Sequence, residues 1–563
     1  EKHAHTMKSV LVTIVVLVVA LLPVTKAAFR SPEVIATADV IVVGSGPGGA
    51  GFLYRLTQIQ PDLTILWIEK GPNVTITNWP EDLLLQNHDV LFGVPHTTVS
   101  TDGLAWNLFG GGDAGNSGSP NAIGLDRSGR SQVYPEVDVV GLRNNSITPL
   151  TPASERWLQA FEESGYTRVD ALVDRSTGTD IVGQVSTIQS EDGREPRLLI
   201  AEDLRSDPTK KITYVHARID KVLHDSSGRA IGVEGVQLNA RQRAVGRSVS
   251  WMANKAVVLA GGVFGTFNML VESGIGSERD LMIRNVPQPW WAQNEMVGQN
   301  VGDDYYVALA FVEPEEQDQL GAECKLSAST AEDNIFNLWS ASATDVWLRV
   351  QSSATDLFFR LSPLIPPLGN FLNDFFRRVS VSTLSLDTEP VFSIRATAKP
   401  RLWESRSNPL NVEIDDSRMN FTSNMCDVLL SKIEVWKKFA EIFANVTFEE
   451  GSVQERARAN FDLLEGVGFF ENLPARTLTL QTVLNITEED CQLNLLNAQY
   501  YHYYGGANGI IDDSYRVEGT QGLYISDASV FSRLAPGGGT TMIMQEGMRV
   551  ADKVSADIID ASS

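Results

Sequence analysis

The sequence predicts an α/β fold built on a parallel sheet with helices on its faces. Three observations carry this. A buried strand, a glycine turn, a helix and a second buried strand follow one another between Thr37 and Glu69. Two later apolar strands, Ala256–Ala260 and Gly522–Ser526, likewise end at turns that lead toward helices. The rest of the chain interposes mixed strands and helices and shows no internal repeat.

The first unit is the most specific. Thr37–Val43 reads T-A-D-V-I-V-V and runs into Gly44-Ser45-Gly46-Pro47-Gly48-Gly49. A helix is predicted over Ala50–Gln58, then a strand over Leu63–Ile68 that ends at Glu69. This order is a βαβ unit, and its glycines let the backbone turn tightly and approach a pyrophosphate at the helix N-terminus. Gly44, Gly46 and Gly49 are therefore candidate dinucleotide-binding positions. Glu69 is placed to accept from a ribose hydroxyl and disfavours a 2′-phosphate, without separating FAD from NAD.

Farther along, Lys211–Val222 and Ala230–Gln237 read as paired strands around the turn Asp225–Gly228. Ala256–Ala260 ends at Gly261-Gly262, and a helical segment leads to Ser273-Gly274-Ile275-Gly276. Near the other end, Gly522–Ser526 stops at Asp527, and a helix is predicted from about Thr541 to Ile558. The dinucleotide-binding domain is thus expected to be discontinuous. Leu357–Phe376 is dense in Phe, Leu and Pro and reads as core of the interposed domain, or alternatively as an apolar lid.

Composition bounds the rest. The chain has 563 residues, 43% of them hydrophobic, so more than one domain and a substantial core are expected. Its 46 Lys and Arg against 70 Asp and Glu leave a net charge of −24, which repels polyanions and argues against nucleic-acid binding. Seven His and three Cys are nowhere at metal-ligand spacing, so no metal is expected.

Met7-Lys8, the apolar run Val10–Leu22 and the small residues around Ala27-Ala28 have the build of a secretory signal over 7–28. The run falls short of the roughly 20 apolar residues that span a bilayer, so no stable membrane insertion is expected after cleavage. Asn-x-Ser/Thr acceptors at Asn73, Asn144, Asn420, Asn445 and Asn485 agree with passage through a glycosylating compartment. Cys324, Cys426 and Cys491 then allow one disulfide at most, with its pairing open.

Four blocks in order give the chain its resemblance to a known family: Gly44–Glu69; Gly110-Gly111-Gly112-Asp113-Ala114-Gly115-Asn116; Ala260–Gly276, trailed by Val297-Gly298-Gln299-Asn300; and His502 through Asp527-Ala528-Ser529 to the final helix. On these the sequence resembles the glucose–methanol–choline (GMC) family of FAD-dependent oxidoreductases. The resemblance implies a Rossmann-like FAD-binding domain from 36–150, 195–310 and 495–560. It also implies an α+β substrate domain on an antiparallel sheet from 311–494, to which 151–194 contributes.

It further implies FAD as cofactor, with Gly111, Asn116, Ile219, Asp527 and Ala528 joining Gly44, Gly46, Gly49 and Glu69 as cofactor-binding positions. The implied reaction is oxidation of a primary, aryl or sugar alcohol by hydride transfer to flavin N5. His502 takes the hydroxyl proton, and oxygen or a quinone-type acceptor receives the electrons. The family's second His or Asn falls here on Gly538 or Gly539, which have no side chain to hold a proton, and its usual His near 304 is Asp304. Two alternatives follow: non-redox hydroxynitrile cleavage on the same fold, or a flavoprotein with attenuated or lost turnover.

Overall fold

The computed structural model describes in continuous runs residues 32–70, 152–171, 206–239, 244–302, 444–467, 503–532 and 540–560, and shorter strand and helix segments between them. The fold is that of the unit Val34–Ser563.

Its first sheet has six strands drawn from three stretches of sequence: β1 (Glu33–Val43), β2 (Ile65–Glu69), β3 (Ile212–His224), β4 (Ala230–Leu238), β5 (Ala244–Leu259) and β6 (Leu523–Ile525). β1 and β2 run parallel with Val40 opposite Ile65, and β3 continues in parallel on the far side of β2 with Ile212 opposite Ile65. β5 pairs with the other edge of β1, and β6 lies parallel to β5. The order is therefore β3-β2-β1-β5-β6, and the chain's progress across the sheet reverses at β1. Open α/β sheets bind ligands beyond the carboxyl ends of their strands at such a reversal. β4 is antiparallel to both β3 and β5 and joins them as a meander.

Helix α1 (Pro47–Ile59) begins three residues earlier than the sequence predicts. Pro47 explains this: proline suits the first helical position, where its fixed φ is preset and its missing N–H costs nothing. β5 differs more, starting at Ala244 rather than Ala256. Its outer residues Ala244–Arg247 are exposed, so no apolar pattern marks them, and pairing of Ala244 with Leu238 of β4 extends the strand.

The core fills the space between this sheet and its helices. Val40, Ile41, Val42, Trp67 and Ile68 are fully buried, together with Phe52, Leu53 and Leu56 of α1. Each such side chain contributes about 1.5–3 kcal/mol by leaving water. The Trp67 ring meets Tyr214 edge-on at 5.9 Å, and its Nε1 donates to the Gly44 carbonyl at 3.1 Å. Helices α2 (Gly262–Glu272) and α3 (Glu278–Ile283) follow β5, and α4 (Thr540–Asp560) closes the chain against α1. The α1–α4 contact is backbone on backbone: a Cβ at Gly547 would stand 2.2 Å from the Gly48 carbonyl oxygen.

A second, seven-stranded sheet runs in the order Thr477–Thr479, Tyr305–Val312, Val379–Asp387, Ile335–Ser342, Cys324–Ser329, Ile181–Gln184, Thr167–Ala171. Its four inner pairings are antiparallel and its two outermost parallel. The two sheets give the mixed α/β class that the sequence predicts. A direct tie runs from α3 to Ile394–Ala398, where buried Asp280 accepts from the Ala398 N–H at 2.9 Å. No helix among the described residues is long and apolar enough to cross a membrane.

Candidate cofactor site

Four strands end at one place. Gly44 N–H donates to the Ile68 carbonyl at 2.8 Å, Ala260 N–H to Val43 at 2.7 Å, and Ser526 N–H to Leu259 at 2.8 Å. The turns leaving β1, β5 and β6 therefore abut, with Glu69 at the end of β2 beside them. Their closeness demands glycine at two points. Gly44 has φ +111° and approaches Ala260 so closely that a Cβ would lie 2.0 Å from its carbonyl oxygen. A Cβ on Gly48 would lie 2.0 Å from the Ser526 carbonyl oxygen. Gly49 is buried against the Gly44 carbonyl.

Gly46 differs. It is the N-cap of α1, has ordinary extended backbone (φ −62°, ψ 177°), and nothing stands within 4 Å of where its Cβ would be. No side chain caps this helix, and its first turn carries no acidic residue. The N-terminal amides of α1 thus meet no capping side chain, and the space beside Gly46 is open. That donor set, with the positive end of the helix dipole, suits a pyrophosphate.

Glu69 is buried, and its Oε2 accepts from the Ser45 N–H at 2.7 Å and the Ser45 Oγ–H at 2.8 Å. The predicted ribose acceptor is thereby held rigidly against the glycine loop, and a carboxylate has acceptor sites beyond those two bonds. His216 of β3 lies opposite Glu69, and Ile219, three residues beyond, is buried on the part of β3 that extends past β2.

On the far side, Asp527 caps a short 3-10 turn, Ala528–Val530. Its Oδ1 accepts from the Ser529 N–H at 2.9 Å and Oγ–H at 2.5 Å, and its Oδ2 accepts from Thr266 Oγ1 at 2.5 Å. Burial pushes the Asp527 carboxyl above its usual range, and these hydrogen bonds, with one from the Gly262 N–H, oppose the rise. Ser526 Oγ donates to the Gly48 carbonyl at 3.1 Å. Ser45, Thr266 and Ser526 escape prediction because hydroxyl residues are common and only the fold brings them to this edge.

The chain around residue 504 is anchored here too. Tyr504 and Gly302 exchange main-chain bonds of 3.1 and 2.9 Å, while Gly505 N–H donates to Ala528 and Ala507 N–H to Ser529, both at 3.0 Å. The Tyr503 ring packs edge-on against Phe264 of α2 at 4.7 Å. His502, Gly111, Asn116, Asp304, Gly538 and Gly539 lie outside the described residues, as do Leu357–Phe376, Cys426 and Cys491. Among the described residues no group of three His, Cys, Asp or Glu could hold a metal.

Comparison with known proteins agrees with this geometry. The GMC oxidoreductase family model matches residues 135–306. (R)-mandelonitrile lyase 3 of Prunus serotina is 23% identical, over 89% of this chain and 82% of its own length. Sinalpyl alcohol oxidase Nec3 of Nesocodon mauritianus is 24% identical, over 67% of this chain and 61% of its own length. The fold is similar to that of Aspergillus oryzae formate oxidase, a protein with a modified FAD, at a TM-score of 0.64 and 14% identity, covering 94% of this chain and all of that one. The cofactor that the glycine loop, Glu69 and the uncapped helix fit is FAD. The chain is thus similar to the glucose–methanol–choline oxidoreductases, by sequence over residues 135–306 and by fold over most of its length.

Proposed function

We propose that the protein oxidises a small alcohol (primary, aryl or sugar) and that His502 is the base that takes the hydroxyl proton. Bound FAD supplies the hydride acceptor, at flavin N5. The loop Gly44–Gly49 and the N-terminus of α1 hold its pyrophosphate, Glu69 its ribose, and Ile219, Asp527 and Ala528 border the site, with Gly111 and Asn116 assigned to it from their motif. Removing the hydroxyl proton makes the adjoining carbon a better hydride donor, and imidazole, with an ordinary pKa of about 6.5, is suited to hold that proton near neutral pH. The observation that supports this reading most is the anchoring of Tyr504–Ala507 to Ala528, Ser529 and Gly302, which ties the chain two residues beyond His502 to the cofactor crevice. Oxygen or a quinone-type acceptor then reoxidises the protein.

The test is anaerobic: alcohols of each class are added and the flavin absorbance is followed. Bleaching by at least one class is expected. No bleaching across the panel, with hydrogen cyanide released from mandelonitrile, would instead establish the lyase reading. That reading has support from the near full-length alignment with a mandelonitrile lyase.

The same proposal places the protein outside the cell. Asn445 and Asn485 are exposed, and each donates from Nδ2 at 3.0 Å to the carbonyl four residues earlier. A secreted product is expected to lack residues 7–28 and to lose mass on deglycosylation. We also place the boundary of the middle cofactor stretch at Gly302 rather than 310, since Tyr305–Val312 belongs to the seven-stranded sheet.

A further inference from the structure

Two helices present their N-termini at the crevice, and they are not equivalent. α1 has no carboxylate in its first turn. α2 also has none of its own, yet its Gly262 N–H donates to Asp527, a residue 265 positions later in sequence. The positive end of α2 is thus answered from within the protein. A pyrophosphate placed against that same end would meet a buried carboxylate, and like charges in contact repel.

Asp527 is held by what surrounds it. Ser529 donates twice to Oδ1, and Thr266, fully buried in the second turn of α2, donates to Oδ2 at 2.5 Å. The neighbouring Ser526 is fixed at the same time: its N–H donates to Leu259, and its Oγ–H donates to the Gly48 carbonyl. A continuous line of contacts therefore runs from Thr266 through Asp527 and Ser526 to the glycine loop.

We propose that Thr266 is a positioning residue of the cofactor site, acting through Asp527 and Ser526 to hold the Gly44–Gly48 loop in its phosphate-binding shape. On this account Asp527 organises the site from behind and does not itself bind the phosphates.

The test strips FAD from the full-length protein and titrates it back by quenching of flavin fluorescence. Thr266→Val keeps the shape and removes the hydroxyl, and a hydrogen bond to a charged group is strong enough that its loss is expected to weaken FAD binding about tenfold. Thr266→Ser restores the donor and is expected to bind within about threefold of the native protein. Native affinity in the Val variant, or equal weakening in Val and Ser, overturns the proposal. Ser526→Ala reads the far end of the same relay should the Val variant fail to fold. There, binding about fivefold weaker is expected, and unchanged affinity overturns the proposal.

Discussion

Replacing Gly46 by alanine adds one methyl group at the N-cap of α1, in backbone that alanine adopts without strain (φ −62°, ψ 177°). With nothing within 4 Å of the new Cβ, the protein without cofactor has no clash to relieve. Alanine stiffens the unfolded chain, which stabilises by about 0.4–1 kcal/mol, and is a poorer N-cap than glycine by about the same amount. Net stability is therefore expected to change by less than about 0.5 kcal/mol. On the proposed reading the methyl projects into the space that receives the pyrophosphate. Crowding of one methyl group costs about 1–3 kcal/mol, or roughly 5- to 150-fold in FAD affinity. Gly48→Ala is the contrast, because its Cβ would stand 2.0 Å from a carbonyl oxygen, and it is expected to destabilise the protein even without FAD. Urea unfolding of the FAD-free proteins reads the first effect, and fluorescence titration with FAD reads the second. A Gly46→Ala protein that binds FAD as tightly as the native one would refute this loop as the phosphate seat.

Glu69→Ala leaves the Ser45 N–H and Oγ–H without their buried acceptor, so about 1–3 kcal/mol of stability should be lost along with FAD affinity, measured by the same two assays. His224 supplies a pH prediction. Both its ring nitrogens are buried without partners beside Trp291, and burial lowers its pKa from 6.5 to about 4 against the pull of Asp225. Above 6.5 the ring is neutral whether folded or unfolded. As pH falls from 6.5 toward 4 the unfolded chain takes up the proton first, and stability declines. The full shift sets a ceiling of about 3 kcal/mol, and allowing for partial exposure leaves on the order of 1–2 kcal/mol. Urea unfolding at pH 7.5 and 5.0 should show this decline in the native protein and a smaller one in His224→Phe; equal declines would contradict it.

The parts of the fold legible in sequence are those encoded locally. Val40–Val43, the glycine turn and Leu66–Glu69 announce a strand, a turn and a strand because every residue there is buried or turning. The hairpin of β3 and β4 is marked by its Asp225–Gly228 turn, whose Asp225 Oδ1 accepts from the Ser227 N–H at 2.8 Å. The outer half of β5 was illegible because its exposed residues are strand only by pairing with β4. The candidate site divides in the same way. Gly44, Gly46, Gly49 and Glu69 sit in one contiguous motif and were readable from it. Thr266 and Asp527 meet across 261 positions of sequence, and no local pattern signals that a threonine in the second turn of a helix will find a distant aspartate. The protein donors to the Asp527 carboxylate are likewise invisible in the motif, because Thr266 reaches it only in the fold.

In the proposed reaction this crevice, once loaded with FAD, oxidises an alcohol with His502 as the base. The most direct measurement is the anaerobic rate of flavin bleaching by a responsive alcohol, compared between the native protein and His502→Ala loaded with equal FAD. A positioned base contributes about 10²–10⁴-fold, so a rate reduced by that factor, with FAD affinity retained, is expected. An unchanged bleaching rate in His502→Ala would contradict the account.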